Sequence, residues 1–128
     1  LFTRSPEALG EVQWAALGAG AGARSSFWLG SEGAHTPTHY DTYGCNLVAQ
    51  LHGCKRWRLL PPDARLLPSR VPYEESSVFA QSPDDGVRLR GGVEVELRAG
   101  QVLFVPKHWW HHVSCAALMC NDHLICND

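Results

Sequence analysis

The sequence predicts an all-β fold, a sandwich or jelly roll, from three observations. Short runs rich in β-branched and aromatic residues follow one another closely, and Gly, Pro and Asp punctuate them. Little of the 128-residue chain carries helical periodicity.

Residues 1–25 are expected to form a helical or irregular lead-in around Pro6-Glu7-Ala8-Leu9, and 26–128 the β domain. Gly18 to Gly22 is a Gly-Ala run without a phosphate-cradling pattern and reads as linker. Phe27-Trp28-Leu29 is short, apolar and strand-like. The runs Cys45 to Leu51 and Lys55 to Leu60, joined at His52-Gly53-Cys54, read as a hairpin with a glycine turn. Pro61-Pro62-Asp63 ends the second run, and residues 63–86 read as loop. Val93 to Leu97 alternates strictly, which predicts a strand with one wet face. Ala99-Gly100 turns into Gln101 to Val105, a buried strand that Pro106 breaks, and Trp110 to Cys115 begins another. No internal repeat is visible.

At this length the chain is one domain able to bury roughly two-thirds of its unfolded surface. A net charge of -2 implies no general attraction to nucleic acid or to an anionic membrane. No apolar run approaches the ~20 residues of a spanning helix, so membrane insertion is not expected. Five cysteines without a C-x-x-C read as reduced thiols, which suits a cytoplasmic or nuclear location. Cys120 and His123 lie close together but lack the second pair that a zinc site needs. The chain opens on Leu1 and is expected to be a fragment.

His39-Tyr40-Asp41 carries the chemistry. Residues i and i+2 of a strand point to one face, so His39 and Asp41 can reach one metal while Tyr40 points away. Two histidines and one carboxylate are the facial set that holds non-haem Fe(II) and leaves positions open. An isolated H-x-D is weak, however, and Asp41 also suits an Asx turn. The third ligand must come from a different strand. His111 and His112, about seventy residues on, both qualify, and adjacent strand residues face opposite ways, so only one can be inward. His35 and His108 read as loop or rim. On the 55–60 run, Lys55 shares a face with Trp57 and Leu59, whereas Arg56 and Arg58 share the polar one.

Four separated blocks surround these residues: His35-Thr36-Pro37 before the pair, Gly53 to Pro62 after it, Pro72 to Phe79, and Gly100 to Pro106 leading into Trp109-Trp110-His111. In that order they resemble the JmjC branch of the cupin-like Fe(II)/2-oxoglutarate oxygenases, from about Trp14 to His112. The resemblance is closest to members associated with small heat-shock proteins and more distant to asparaginyl hydroxylases. It implies a double-stranded β-helix with Fe(II) between its two sheets, held by His39, Asp41 and His111. It further implies that Lys55 receives the remote carboxylate of 2-oxoglutarate, that Thr36 bonds the same carboxylate, and that Asn46 lines the pocket. Trp28 and Trp110 read as core.

The implied activity is hydroxylation of a protein side chain as 2-oxoglutarate is decarboxylated to succinate. The implied partner is a protein, a small heat-shock protein among the choices. A second reading is a non-catalytic interaction domain that keeps the fold. A third, a cupin using another metal without 2-oxoglutarate, is opposed by Lys55 and its Lys-Arg-x-x-Leu-x-Pro-Pro block. From Val113 onward the tail departs from the family pattern, and the 79–93 loop is shorter. The domain is therefore expected to be incomplete at its C-terminal end, leaving a sheet edge exposed.

Overall fold

The structure, a computed structural model, describes residues 26–82 and 92–116 together with Gln13 and Ala16. The expected lead-in over residues 1–25, those two aside, lies outside the described residues, as does the divergent tail from residue 117 with Cys120 and His123. Eight strands follow in chain order: β1 (His35–Asp41), β2 (Asn46–Ala49), β3 (Cys54–Leu60), β4 (Pro68–Ser69), β5 (Ser77–Ala80), β6 (Val93–Arg98), β7 (Val102–Val105) and β8 (Trp110–Cys115). They form two antiparallel sheets, one of six strands in the order β4-β5-β1-β8-β3-β6 and one of two, β2-β7. Sequence-distant strands pair in the large sheet, as a jelly roll requires, and the all-β expectation holds. No helix among the described residues is long and apolar enough to cross a membrane.

Alternation along each strand sorts side chains to the two faces of the large sheet. The inner face meets the small sheet: Trp57, Leu59 and Leu97 pack with Val105, supported by Val48, Leu103, Val95 and Val113. Val93, Val95 and Leu97 lie opposite Leu59, Trp57 and Lys55, so the alternation read in the 93–97 run is realised as cross-strand pairs. The outer face has its own apolar end, where Leu60, Val78, Ala80 and Trp110 are covered by Leu66. Tyr40 meets Trp110 edge-on there, with ring centroids 4.7 Å apart. The rest of that face is polar, with Arg56 beside Glu96 and Arg58 bonded to Glu94.

Five expectations need correction. The 45–51 and 55–60 runs are not a hairpin, because β2 pairs with β7 in the small sheet and β3 with β6 and β8 in the large one. The chain changes sheets at Gln50, whose N–H donates to the Gln101 carbonyl, while Gly100 N–H donates back to Gln50. Gly53 and Gly100 supply the left-handed conformations (φ 74° and 84°) at these two adjoining corners. Within the 63–86 segment, read as loop, β4 and β5 pair with each other, and β5 with β1. The 101–105 run is only half-buried: Leu103 and Val105 face inward, while Val102 and Phe104 are exposed. Finally, Phe27-Trp28-Leu29 is not a strand, and Trp28 is 74% exposed rather than core. Backbone bonds of Gly33 and Ala34 with Cys115 tie the end of that segment to β8.

Candidate metal centre

β1 and β8 are neighbours in the large sheet, with His39 directly opposite His111. Paired residues of adjacent strands point to the same face, so the two imidazoles meet on the inner side, their centroids 4.2 Å apart. Asp41, two residues along β1, points the same way. One ligand atom from each of His39, Asp41 and His111 lies within 4.8 Å of the others, and all three residues are buried.

Both histidines are oriented alike. His39 Nδ1 lies 2.8 Å from the Pro37 carbonyl and His111 Nδ1 lies 3.0 Å from the Trp109 carbonyl. A carbonyl only accepts, so each Nδ1 carries the proton and donates it. Each Nε2 is left facing Asp41, at 3.8 Å from Oδ1 for His39 and 3.7 Å from Oδ2 for His111. Burial lowers the His111 pKa from the ordinary imidazole value, and the adjacent His39 pushes the same way. Its Trp109 bond and Asp41 oppose. The outcome favours neutral His111, the form that ligates metal. Phe79, opposite His39 on β5, packs its ring 5.3 Å from the imidazole.

Asp41 is held from the side. The Asn46 amide donates to Asp41 Oδ2, so Asn46, expected to line a cosubstrate pocket, here steers the carboxylate. Burial and the Asp41 charge raise the pKa of the Tyr43 phenol nearby. Next to Asp41, Thr42 anchors the 74–76 loop: its N–H donates to the Ser76 carbonyl and its hydroxyl to the Glu75 carbonyl.

Register puts the adjacent histidines on opposite faces of the sheet. His111 is 4% exposed on the inner face, whereas His112 lies on the outer face, stacked on His35 at 5.9 Å. Lys55 pairs with Leu97 and Cys115 on the inner face, half-buried, and has no ion-pair partner among the described residues. Thr36 stands opposite Val113, also inward. An open groove of about 420 Å³ is lined chiefly by outer-face residues such as Arg56, Arg58, Glu94 and His112, with Trp57 and Val95 also in its lining. Sequence reading missed the Pro37 and Trp109 carbonyls. Each sits two residues before its histidine, a spacing that is the available signal.

A family model described as a cupin-like domain matches residues 2–126. The chain belongs to the cupin-like domain family, of the JmjC kind. It is similar to HSPB1-associated protein 1 of Homo sapiens, 47% identical over 125 residues, which is 88% of this chain and 26% of that protein. Lysine-specific demethylase JMJ31 of Arabidopsis thaliana is 37% identical over 101 residues (69% of this chain, 18% of the relative). JmjC domain-containing protein D of Dictyostelium discoideum is 33% identical over 95 residues (67% and 21%). This chain thus spans about a quarter of the length of the HSPB1-associated protein 1 relatives it matches.

Proposed function

We propose that the chain carries the iron site of a 2-oxoglutarate-dependent oxygenase that hydroxylates a protein side chain. One observation carries the reading: two Nδ1-protonated imidazoles and one carboxylate converge, buried, from neighbouring strands. Two imidazole nitrogens and one carboxylate oxygen suit non-haem Fe(II) held on one side.

The inner face supports the cosubstrate half of the proposal as three successive rows. Leu59, His111, His39 and Phe79 form the metal row, Trp57, Val113 and Thr36 the next, and Leu97, Lys55 and Cys115 the third. Two residues of strand separate successive rows, so Lys55 stands roughly 13 Å from the metal row along β3. A keto diacid and an extended lysine side chain together bridge that span.

In this reading His39 and His111 give Nε2 and Asp41 gives a carboxylate oxygen to Fe(II), while Asn46 fixes the Asp41 rotamer. Lys55 takes the remote carboxylate of 2-oxoglutarate, and Thr36 donates its hydroxyl to the same group. Leu59, Val113 and Phe79 wall the site with apolar surface, which excludes water and strengthens each polar contact. The bound iron and cosubstrate supply the redox chemistry, in which O2 and 2-oxoglutarate become succinate and CO2 as a C–H bond becomes C–OH.

The demethylase named among the relatives supports oxygenase chemistry, and HSPB1-associated protein 1 supports a small heat-shock protein as partner. A cytoplasmic or nuclear location is proposed with it, since Cys45, Cys54 and Cys115 are free thiols. The test is succinate formation with Fe(II) and 2-oxoglutarate in wild type, His39→Ala and Lys55→Ala. Turnover abolished by both substitutions is expected. Metal binding without succinate from the wild type would instead favour a non-catalytic interaction domain.

A further inference from the structure

Trp57 is 8% exposed, and its indole Nε1–H has no hydrogen-bond partner among the described residues. Other buried side-chain donors of the inner face are bonded, and a buried N–H left unbonded carries its full desolvation cost. Its position is informative. Trp57 lies between Lys55 and Leu59 on β3, in the same row as Val113 and Thr36, and its ring is 5.7 Å from that of His111. It therefore touches a metal ligand on one side and neighbours the lysine row on the other.

Core packing alone does not call for indole here. Phenylalanine would fill much of the same apolar site among Leu59, Leu97 and Val105 without burying a donor. We infer that the Trp57 indole N–H is a binding donor of this site, completed by an oxygen of 2-oxoglutarate held between Lys55 and the metal row. The inference rests on the oxygenase reading above. It adds a third donor to Lys55 and Thr36, supplied by the opposite flank of Val113 from Thr36. An anion held by an ammonium, a hydroxyl and an indole N–H is fixed in orientation as well as charge, and an uncharged indole adds no competing counter-ion.

The test uses the whole chain, 15N-labelled, loaded first with Zn(II) as a diamagnetic probe and then with 2-oxoglutarate. The Trp57 indole cross-peak is identified by its loss in Trp57→Phe. It is expected to shift on addition of 2-oxoglutarate beyond any change with Zn(II) alone, and not to do so in Lys55→Ala. Calorimetry is expected to show 2-oxoglutarate binding to Trp57→Phe about tenfold more weakly than to wild type, the loss typical of one bond to a charged acceptor. Should wild type bind 2-oxoglutarate while this cross-peak stays put and Trp57→Phe binds equally well, the inference is overturned and the oxygenase reading stands. A shift with Zn(II) that 2-oxoglutarate does not extend overturns it as well. If wild type binds no 2-oxoglutarate, both fall. If Trp57→Phe does not fold, the wild-type shift, assigned through the backbone, decides alone.

Discussion

Thr36 and His39 lie on the same face of β1 although they stand three positions apart. Regular alternation would put them on opposite faces. Thr36 pairs with Val113 and His39 with His111, so β1 spends three residues where β8 spends two. This bulge restores Thr36 to the inner face, one row from the proposed metal ligands, and bulges commonly re-aim side chains beside active sites. Thr36→Val keeps the shape and removes the hydroxyl. It is expected to weaken 2-oxoglutarate binding by about 1.5 kcal/mol, roughly tenfold, and to leave metal affinity within twofold. Calorimetry with Mn(II) present measures both, and unchanged 2-oxoglutarate affinity would remove Thr36 from the site.

Asn46 offers a sharper discrimination. Its amide bond to Asp41 Oδ2 holds the carboxylate proposed as a metal ligand, whereas the sequence reading gave Asn46 to the cosubstrate pocket. Partners that orient metal ligands typically contribute about 10–100-fold to metal affinity. Asn46→Ala is therefore expected to weaken Co(II) binding by about that factor. A variant with full Co(II) affinity but weakened 2-oxoglutarate binding would return Asn46 to the role read from the sequence.

The adjacent histidines make a paired test. His111 faces Asp41 with its Nε2, and His112 lies on the far side of the sheet against His35. His111→Gln is expected to abolish the Co(II) absorption spectrum of the site, while His112→Gln leaves it intact. Loss in both would show that the outer stack also holds β8 in register.

Much of this site was legible because parity is local. His39 and Asp41 could be read as a pair, and Lys55 could be set on the face of Trp57 and Leu59, since each judgement uses only neighbours on one strand. What stayed hidden depends on other strands. The Thr36 bulge is a mismatch between β1 and β8, and Asn46 meets Asp41 only because the chain turns back between β1 and β2. The false hairpin has the same origin. A glycine turn between two apolar runs looks identical whether the runs pair or part into different sheets. β4 was invisible for another reason, since Pro68-Ser69 carries no strand signal and forms only where β5 offers an edge.

The tryptophans turn that distinction into a stability measurement. Trp110 is 4% exposed, packed with Leu60, Val78, Ala80 and Leu66 on the outer face and edge-on to Tyr40. Trp28, equally aromatic and equally expected to be core, stands mostly in solvent. Removing a buried tryptophan costs its transfer free energy and leaves a cavity, so Trp110→Ala is expected to destabilise the fold by about 3–5 kcal/mol. Trp28→Ala removes little packed surface and is expected to stay within about 0.5 kcal/mol. Urea unfolding of the two variants beside wild type reads both, with similar slopes expected for each. The peptide of Trp110 follows the Trp109 carbonyl that orients His111, so any residual folded Trp110→Ala should also bind metal less tightly. Equal losses from the two substitutions would mean that Trp28 is covered in solution, and the exposed course of residues 26–34 would then be wrong.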